Sequence, residues 1–412
     1  MTMRYDCDVA VVGAGPAGSR TARNIAAAGW RVKLLEEHRR IGVPSHCSGL
    51  ISLRTLAEAE IGEEAIIHRI TGAYVHTAAG SEIALGGDQV RAVAIDRVRW
   101  DETLCQQAEA AGTELVRARL VNAQRENGGL RLDVETDGHR RSLTSRLVVG
   151  ADGAHSRVAR SLGLPGPREK VYCLGIEGRL RLPREDFVHV FVGRKLAPGW
   201  FGWIIPSGGD QVRVGIGCQG GHKPINCYRR LADTFPHLFQ NIEPCRFYGG
   251  TIPLEFAPRS YGDNVLLVGD AAGQVKPFSG GGIYTSLVAA RHAAATAVAA
   301  LEAEDLRATT LARYERAWKA EIGRELTRSL RIRHFGLALS DGDLERVMAA
   351  LRSEGVRALA ARHGDIDYPS RVILRLARSL PALWVLARVT FQRPRAAWNL
   401  LRAHMPLGFL GI

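Results

Sequence analysis

The residues best suited to chemistry form a glycine-rich turn near the start of the chain, Gly13-Ala14-Gly15-Pro16-Ala17-Gly18, which fits the pattern GxGxxG. Glycines at these positions permit a tight turn and let the backbone approach a pyrophosphate at a helix N-terminus. Glu36 ends the next predicted strand, where its carboxylate can accept hydrogen bonds from ribose hydroxyls and disfavours a 2′-phosphate. The pattern therefore predicts FAD or NAD rather than NADP. The predicted contacts in this segment are Gly13, Gly15, Pro16, Ala17, Gly18, Glu36 and Glu37.

A second candidate segment surrounds Asp270, which follows the apolar strand predicted at 265–268. A carboxylate just after a buried strand can bind a ribityl hydroxyl, and the small residues beside it let a flavin chain pass close to the backbone. Residues 277–283 then open an Ala-rich helix, whose N-terminus offers free N–H groups and positive potential to a reduced isoalloxazine. An Asp N-cap with a glycine linker is the alternative interpretation. The predicted flavin contacts here are Asp270, Gly281, Gly282 and Ile283.

Three further stretches complete the predicted cofactor site. Asp152 and Gly153 follow the apolar strand predicted at 147–149. Arg97 lies early in the helix predicted at 96–112, where it can contact a flavin phosphate or a ribityl oxygen, or can be a solvated charge on the helix face. Leu120 lies in the strand predicted at 114–121.

The elements that must position these residues begin with a βαβ unit: a strand at 6–12, a helix ending at Ala28 and a strand at 31–35. Further helices are expected at 55–67, 96–112, 226–235, 280–303 and 308–336. Between about 170 and 255, short alternating segments separated by Gly, Pro and Asn predict an antiparallel sheet. The predicted fold class is α/β, with a Rossmann-like FAD-binding domain at 1–168 and 256–305, an inserted antiparallel-sheet substrate domain at 169–255, and a helical C-terminal region at 306–412.

Composition narrows the function classes. Lys and Arg exceed Asp and Glu by 55 − 42 = 13 in 412 residues, but the excess is spread along most of the chain, so no nucleic-acid partner is predicted. The seven scattered cysteines include no CxxC pair, which predicts free thiols in a reducing, cytoplasmic compartment and no metal site. The chain runs directly into a strand and has no uncharged apolar stretch of about 20 residues, so neither a signal peptide nor a transmembrane helix is expected.

The three glycine-containing segments, in this order, resemble the flavoprotein superfamily that includes aromatic hydroxylases and geranylgeranyl reductases. Within it the chain most resembles the geranylgeranyl reductase family. Pro44-Ser45-His46-Cys47-Ser48-Gly49 matches its PxxCxG motif, and Phe201-Gly202-Trp203-Ile204-Ile205-Pro206 resembles its YxWxFP motif. The resemblance covers about residues 5–300 and implies bound FAD, with Cys47, Ser48 and Gly49 near the flavin. It also implies a prenyl-chain substrate in an apolar slot formed by Phe201, Trp203, Ile205 and Pro206, although Trp203 is equally interpretable as a sheet-core aromatic.

Two positions of the second motif depart from the family, because Phe201 replaces Tyr and Ile205 replaces Phe. The segment is therefore one residue from the WxWxIP of flavin-dependent halogenases. Halogenases of the common type also need a lysine between the two flavin motifs. No lysine occurs between residues 34 and 169, where we would expect it, which argues against halogenation.

The resemblance implies reduction of a prenyl double bond, with hydride transfer from reduced flavin N5 to one carbon and protonation of the other. Cys47 would then position the substrate or relay a proton, since an ordinary thiol, with a pKa of about 8.5, is a poor acid for an isolated alkene. A small buried thiol without a role is the alternative. No second dinucleotide unit is visible, so electrons are expected from ferredoxin, NAD(P)H or another reductant.

Two other functions use the same scaffold. An FAD-dependent monooxygenase of an aromatic or quinone-like substrate would share the segment at 150–157. A flavin electron relay to membrane quinone would normally carry a cluster of iron–sulfur cysteines, and the cysteines here are scattered.

The C-terminal segment has a charge pattern of its own. After Asp367 there is no acidic residue but there are seven arginines, and arginine interrupts both of the apolar stretches, at 379–391 and 396–410. These stretches could lie on an anionic membrane, giving peripheral membrane contact, or could be ordinary helices with exposed arginines.

Overall fold

The computed structural model describes residues 5–376, which form three sheets flanked by helices. The first strand is largely apolar and buried on both faces, as central parallel strands are. Pro16 begins the following helix at a position where a missing N–H is harmless. The first elements are β1 (Cys7–Val12), α1 (Pro16–Ala27), β2 (Val32–Glu36), β3 (Leu50–Ile51), α2 (Leu53–Ala59), β4 (Ile66–Ile70), β5 (Gly72–Thr77), β6 (Glu82–Gly86), β7 (Ala92–Ile95) and α3 (Arg97–Ala110).

The middle of the chain is mainly β-structure. Its elements are β8 (Glu114–Arg117), β9 (Arg119–Glu126), β10 (Gly129–Thr136), β11 (His139–Gly150), α4 (Arg157–Ser161), β12 (Lys170–Arg179), β13 (Phe187–Val192), β14 (Phe201–Pro206), β15 (Gln211–Gln219), α5 (Pro224–Thr234), α6 (Pro236–Phe239), β16 (Glu243–Pro253), β17 (Tyr261–Gly262) and β18 (Val265–Leu267).

Two large sheets organise these strands. The first has the order β17-β18-β11-β1-β2-β8; β18, β11, β1, β2 and β8 run parallel, and β9 and β10 extend it as an antiparallel ribbon from β11. The second has the order β16-β12-β15-β14-β13-β5-β6 and is antiparallel except where β13 pairs with β5. A small sheet, β3-β7-β4, lies beside them. Because these strands are parallel, the carboxyl ends of β1, β2, β11 and β18 lie at one edge of the sheet, where ligands of such sheets commonly bind.

The rest of the described chain is helical: α7 (Ile283–Glu302), α8 (Ala308–Trp318), α9 (Arg324–Ala338), α10 (Asp341–Leu351), α11 (Glu354–His363) and α12 (Pro369–Leu376). Small residues let α7 pack closely on α1, where Ala22 and Ala26 share a buried cluster with Ala289 and Ala293. Trp318 closes this cluster from α8. The core thus fixes the N-termini of α1 and α7 on one side of the parallel sheet.

The α/β fold class predicted from the sequence is confirmed, but three helices differ from their predicted bounds by more than two residues. The helix expected at 55–67 ends at Ala59, because Glu60 takes a left-handed conformation (φ 54°). The helix expected from Gly280 begins at Ile283, since Gly280 has φ 72° and helix formation is weak in three successive glycines. The helix expected at 308–336 is divided by a π-helical turn, Lys319–Gly323.

The second sheet extends beyond the segment predicted to contain it. Strands β5 and β6 come from before residue 169 and join the sheet through β13. The predicted boundaries of 169–255 thus omit two strands, because a parallel pairing across more than a hundred residues leaves no local signal. The arginine-containing stretches at 379–391 and 396–410 lie outside the described residues.

Candidate functional site

One continuous cavity of about 1730 Å³ extends from the first glycine turn, across the second sheet, to the C-terminal helices. Sites for a single small ligand commonly measure about 300–1,000 Å³, so this cavity has room for a dinucleotide and a second ligand. The predicted site residues that line it are Gly13, Gly15, Pro16, Ala17, Glu36, Glu37, Cys47, Ser48, Arg97, Leu120, Asp152, Gly153, Phe201, Trp203, Ile205, Asp270, Gly281, Gly282 and Ile283. Gly18, Gly49 and Pro206 are not among the lining residues.

The glycine turn after β1 leaves the N-terminus of α1 open to the cavity. Gly13 has φ 100°, and a Cβ there would lie 2.5 Å from the carbonyl oxygen of Ala151. A Cβ on Gly18 would overlap the carbonyl oxygen of Gly13, so glycine at position 18 is needed for the close packing of α1 against the turn. A Cβ on Gly15 would meet no atom within 4 Å, and no side chain caps α1. Packing therefore explains Gly13 and Gly18, whereas Gly15 leaves free space at the helix N-terminus that suits a phosphate.

Glu36, at the end of β2, fixes this turn. Its Oε2 accepts a hydrogen bond from the Ala14 N–H at 2.9 Å. Its Oε1 accepts one from the His38 N–H at 2.9 Å, and His38 Nδ1 lies 2.7 Å from the same oxygen. The carboxylate thus joins the two loops that would surround an adenosine ribose.

Arg97 is buried at the start of α3, so the interpretation as a solvated surface charge is wrong. Its side chain is 14% exposed, and Nη2 donates to both oxygens of Asp101 at 2.7 and 3.0 Å. Arg97 Nε is buried without a hydrogen-bond partner among the described residues, and it leaves a donor for a ligand oxygen. Asp101 was not predicted, although its i,i+4 spacing from Arg97 was a usable signal.

The segment after β18 brings Asp270 to the same cavity. Burial raises the pKa of its carboxyl to about 6, and the Arg97 charge opposes the shift. Gly282 precedes α7 without a side-chain cap, and a Cβ there would lie 3.3 Å from Asp270 Oδ1. Glycine therefore keeps the space between the carboxyl and the positive end of α7 clear.

Each carboxylate oxygen of Asp152 accepts a hydrogen bond from within the protein. Oδ1 accepts from Ser156 Oγ at 2.6 Å, and Oδ2 accepts from the N–H groups of Arg157 and Val158 at 2.6 and 3.0 Å. These bonds cap α4. A cofactor contact by Asp152 stays a prediction, and the bonds seen here show how the loop after β11 holds its shape.

The Cys47 loop is clamped from the second sheet by Arg213, which sequence reasoning missed. Arg213 Nη1 donates to the carbonyl oxygens of Ser48 and Ile95 at 2.7 and 2.9 Å. Gly49, at φ 66°, gives the guanidinium the space that a Cβ would occupy. Its N–H lies 3.4 Å from Cys47 Sγ. Gly49 therefore shapes the turn, while Cys47 faces the cavity within the electrostatic range of Arg97.

The cavity face of the second sheet carries three aromatic rings that lie over glycines. Trp203 covers Gly215, Trp200 covers Gly217 and Tyr248 covers Gly175. The indole N–H groups and the Tyr248 hydroxyl are all buried without a hydrogen-bond partner in the described part of the chain. Phe201 stacks on Trp200 with centroids 4.8 Å apart. This aromatic face thus presents apolar surface together with unused donors.

Trp200 and Tyr248 were not predicted, and their signal was the glycines that interrupt β12 and β15. Burial raises the pKa of Tyr248, and the neighbouring Cys47 adds to the shift. Pro206 ends β14, buried and away from the cavity lining, so its predicted substrate contact has no geometric support.

Beyond the aromatic face, the cavity continues as an apolar extension between β13 and the C-terminal helices. The aliphatic residues that form it include Val188, Val190, Leu339, Leu344, Val347 and Ile373. A buried ion pair also lines the cavity, in which Lys276 Nζ donates to Asp367 Oδ1 at 2.9 Å and to the Ile366 carbonyl oxygen at 2.8 Å. This pair fastens the C-terminal helices to the loop before α7.

Comparison with known proteins supports the same interpretation. Residues 6–223 match the FAD binding domain family. Digeranylgeranylglycerophospholipid reductase 2 of Methanopyrus kandleri is 34% identical over 89% of this chain and 96% of its own. The digeranylgeranylglycerophospholipid reductase of Methanothrix thermoacetophila is 31% identical over 92% of this chain and 98% of its own.

The chain belongs to the geranylgeranyl reductase family of FAD-dependent oxidoreductases. A geranylgeranyl bacteriochlorophyll reductase-like protein from Thermoplasma acidophilum has the same fold, with a TM-score of 0.80 at 23% identity over 96% of this chain and 99% of its own. The protein is thus an FAD-dependent oxidoreductase, as the sequence predicted.

The residues present suit FAD. The open N-terminus of α1, the unpaired Arg97 Nε and the uncapped start of α7 would hold the phosphates, an intermediate oxygen and the electron-rich ring end, respectively. Among residues 5–376, no helix is long and apolar enough to cross a membrane. Within the same range, no group of three or more His, Cys, Asp or Glu residues is arranged to bind a metal.

Proposed function

We propose that this protein reduces double bonds of a prenyl chain of the geranylgeranyl type. The observation that carries the proposal is the apolar extension, which belongs to the same cavity as the residues that would hold FAD. A prenyl chain binds by burial, with about 0.8 kcal/mol gained for each CH₂ that leaves water. The two relatives described above are named for reduction of a digeranylgeranyl lipid, which supports the same substrate class.

FAD, when bound and reduced, would supply the hydride for one carbon of the double bond. The chain's own residues then have three tasks. The first task is to position the alkene, which the aromatic face and the Cys47 loop would contact because both line the cavity. The second task is exclusion of water, which the ion pair between Lys276 and Asp367 supports by holding the C-terminal helices in place.

The third task is to bring a proton to the other alkene carbon. Cys47 faces the cavity, and Tyr248 carries a buried hydroxyl with no partner close enough to hydrogen bond in the described part of the chain. Neither group is acidic enough to protonate an isolated alkene alone. We therefore assign Cys47 to substrate positioning or proton relay, with Tyr248 beside it.

The test is an anaerobic incubation of FAD-loaded, dithionite-reduced protein with geranylgeranyl phosphate, followed by mass spectrometry. A gain of two hydrogens per reduced double bond supports the proposal. Insertion of oxygen into an aromatic or quinone-like compound under air, driven by NADPH, with no saturation of the prenyl chain, would contradict it and favour a monooxygenase. NAD(P)H and ferredoxin, each added in place of dithionite, would identify the electron donor.

A further inference from the structure

Lys276 is a buried lysine in the wall of the cavity, in the loop that precedes α7. Its side chain is 4% exposed, and its ammonium is paired with the carboxylate of Asp367. Taking such charges out of water is unfavourable, and replacing a buried ion pair by apolar residues often leaves a protein equally stable. The stability of the fold therefore does not by itself explain a charge at this position.

The positive end of this ion pair lies beside the start of α7. A Cβ on Gly281 would lie 3.2 Å from Lys276 Nζ, and no atom of Asp367 is as close to that point. The backbone holds the two residues together, because the Lys276 N–H donates to the Gly281 carbonyl oxygen at 3.2 Å. The Gly280 N–H donates in turn to the Lys276 carbonyl oxygen at 2.9 Å. The loop thus keeps the ammonium next to the segment that would face the electron-rich end of FAD.

The negative charge of Asp367 is shared between two cations. Its Oδ1 accepts from Lys276, while its Oδ2 accepts hydrogen bonds from Ser52 Oγ and, at 3.3 Å, from Arg54 Nη1. Arg54 is not among the residues that line the cavity, whereas Lys276 is. Asp367 therefore offsets the Lys276 charge only in part at the start of α7.

A buried cation next to a flavin changes how easily the flavin is reduced. Two-electron reduction places negative charge on the flavin ring, and a nearby cation stabilises that form more than the oxidised form. Salt screens buried charges weakly, so the effect of one ammonium extends over several ångströms. We propose that Lys276 raises the midpoint potential of the bound FAD and that Asp367 limits this rise. The inference rests on bound FAD and not on the prenyl substrate, so it goes beyond the proposed function.

The test measures the midpoint potential of bound FAD in wild type, Lys276→Met, Asp367→Asn and the double variant, by anaerobic reduction beside a reference dye at neutral pH. Lys276→Met should lower the potential, because it removes the cation and keeps the Asp367 carboxylate. Asp367→Asn should raise it, because it leaves the cation unopposed. Each change should alter the ratio of the FAD dissociation constants, oxidised to reduced, about tenfold, which corresponds to about 30 mV for a two-electron couple. The double variant keeps neither charge and should return close to the wild-type potential.

Lys33→Met is the matched control, because Lys33 pairs with Glu114 outside the cavity lining, and its loss should leave the potential unchanged. Looser packing or greater access of water to the flavin would move both single variants in the same direction, and that result would overturn the inference. If Lys276→Met does not retain FAD, Asp367→Asn decides alone: an unchanged or lower potential contradicts the inference. No prenyl substrate is present, so failure of the proposed function would leave these potentials unaffected.

Discussion

The two halves of the cavity differ in how their polar groups are satisfied. In the cofactor half, the carboxylates of Glu36 and Asp152 already accept hydrogen bonds from the loops that they shape, while Arg97 Nε is a buried donor without a partner in residues 5–376. In the substrate half, the indole N–H groups of Trp200 and Trp203 and the Tyr248 hydroxyl are buried without partners in residues 5–376. The cofactor half is therefore preorganised by its own hydrogen bonds, whereas the substrate half keeps its rings in place by packing over glycines. Changes in the first half should alter FAD binding, and changes in the second should alter turnover with FAD retained.

The largest effect on stability is expected at Gly18, and Gly15 of the same turn provides the comparison because its surroundings differ. In Gly18→Ala, the new Cβ would overlap the Gly13 carbonyl oxygen, so we expect a loss of about 3 kcal/mol or more in the free energy of unfolding. Gly15→Ala meets no protein atom and should leave the unfolding free energy of the FAD-free protein unchanged. FAD affinity should nevertheless fall about tenfold, since the methyl group enters the space for the phosphate. Denaturant unfolding and FAD titration measure both. Equal destabilisation by the two variants would contradict this assignment.

Cys47→Ala tests whether the Cys47 thiol takes part in turnover. We expect FAD to stay bound and turnover of a prenyl substrate to fall about a hundredfold, the size typical of a lost proton-transfer group. Cys245→Ala is the matched control, because Cys245 is an exposed thiol on β16. Steady-state rates with quantified FAD content give the answer, and wild-type turnover in Cys47→Ala would remove Cys47 from the mechanism.

Asp270 should make the FAD-free protein sensitive to pH. Its folded-state pKa is raised from 3.8 to about 6, so the folded state binds the proton more tightly than the unfolded state. Below about pH 4 both states are protonated and the shift has no effect; between about pH 4 and 6 the wild type loses stability as pH rises. Asp270→Asn should be more stable than wild type above pH 6, by about 1–2 kcal/mol after allowance for partial exposure. The difference should vanish near pH 4 in thermal melts, and a constant difference across this range would be evidence against the assignment.

Tyr248→Phe should have the smallest effect on the fold. Removing a buried hydroxyl without a partner among residues 5–376 should leave the unfolding free energy unchanged or raise it by about 1 kcal/mol. Turnover should fall while FAD binding stays as in wild type. Chemical denaturation and rate measurements on the same preparation check both, and a marked loss of stability would mean that the hydroxyl has a partner in the folded protein.

The cofactor half could be predicted because each of its main segments carries a local signal in the sequence. The spacing of Gly13, Gly15 and Gly18 within one turn specifies the approach of a phosphate, and Glu36 follows on the next strand. The distant Asp270 was recognisable because it directly follows an apolar strand. The spacing of glycines and the position of a carboxylate after an apolar strand can both be recognised without knowledge of the tertiary structure.

The substrate half could not be predicted to the same depth. Tyr248 reaches the cavity only because β16 pairs with β12 in a register that places Tyr248 opposite Gly175. Arg213 clamps the Cys47 loop from a strand more than 160 residues away in sequence. Such roles arise from pairings between distant segments, which residue type and local spacing do not specify.

The most direct test of the account follows a single turnover of the flavin itself. FAD-loaded protein is reduced anaerobically and mixed with one equivalent of geranylgeranyl phosphate, while the absorbance of oxidised flavin is recorded. We predict that the flavin reoxidises without oxygen and that one double bond of the prenyl chain is saturated for each FAD. A flavin that stays reduced with the prenyl substrate, and reoxidises only when oxygen enters, would contradict the claim that one cavity brings the cofactor and a prenyl chain together.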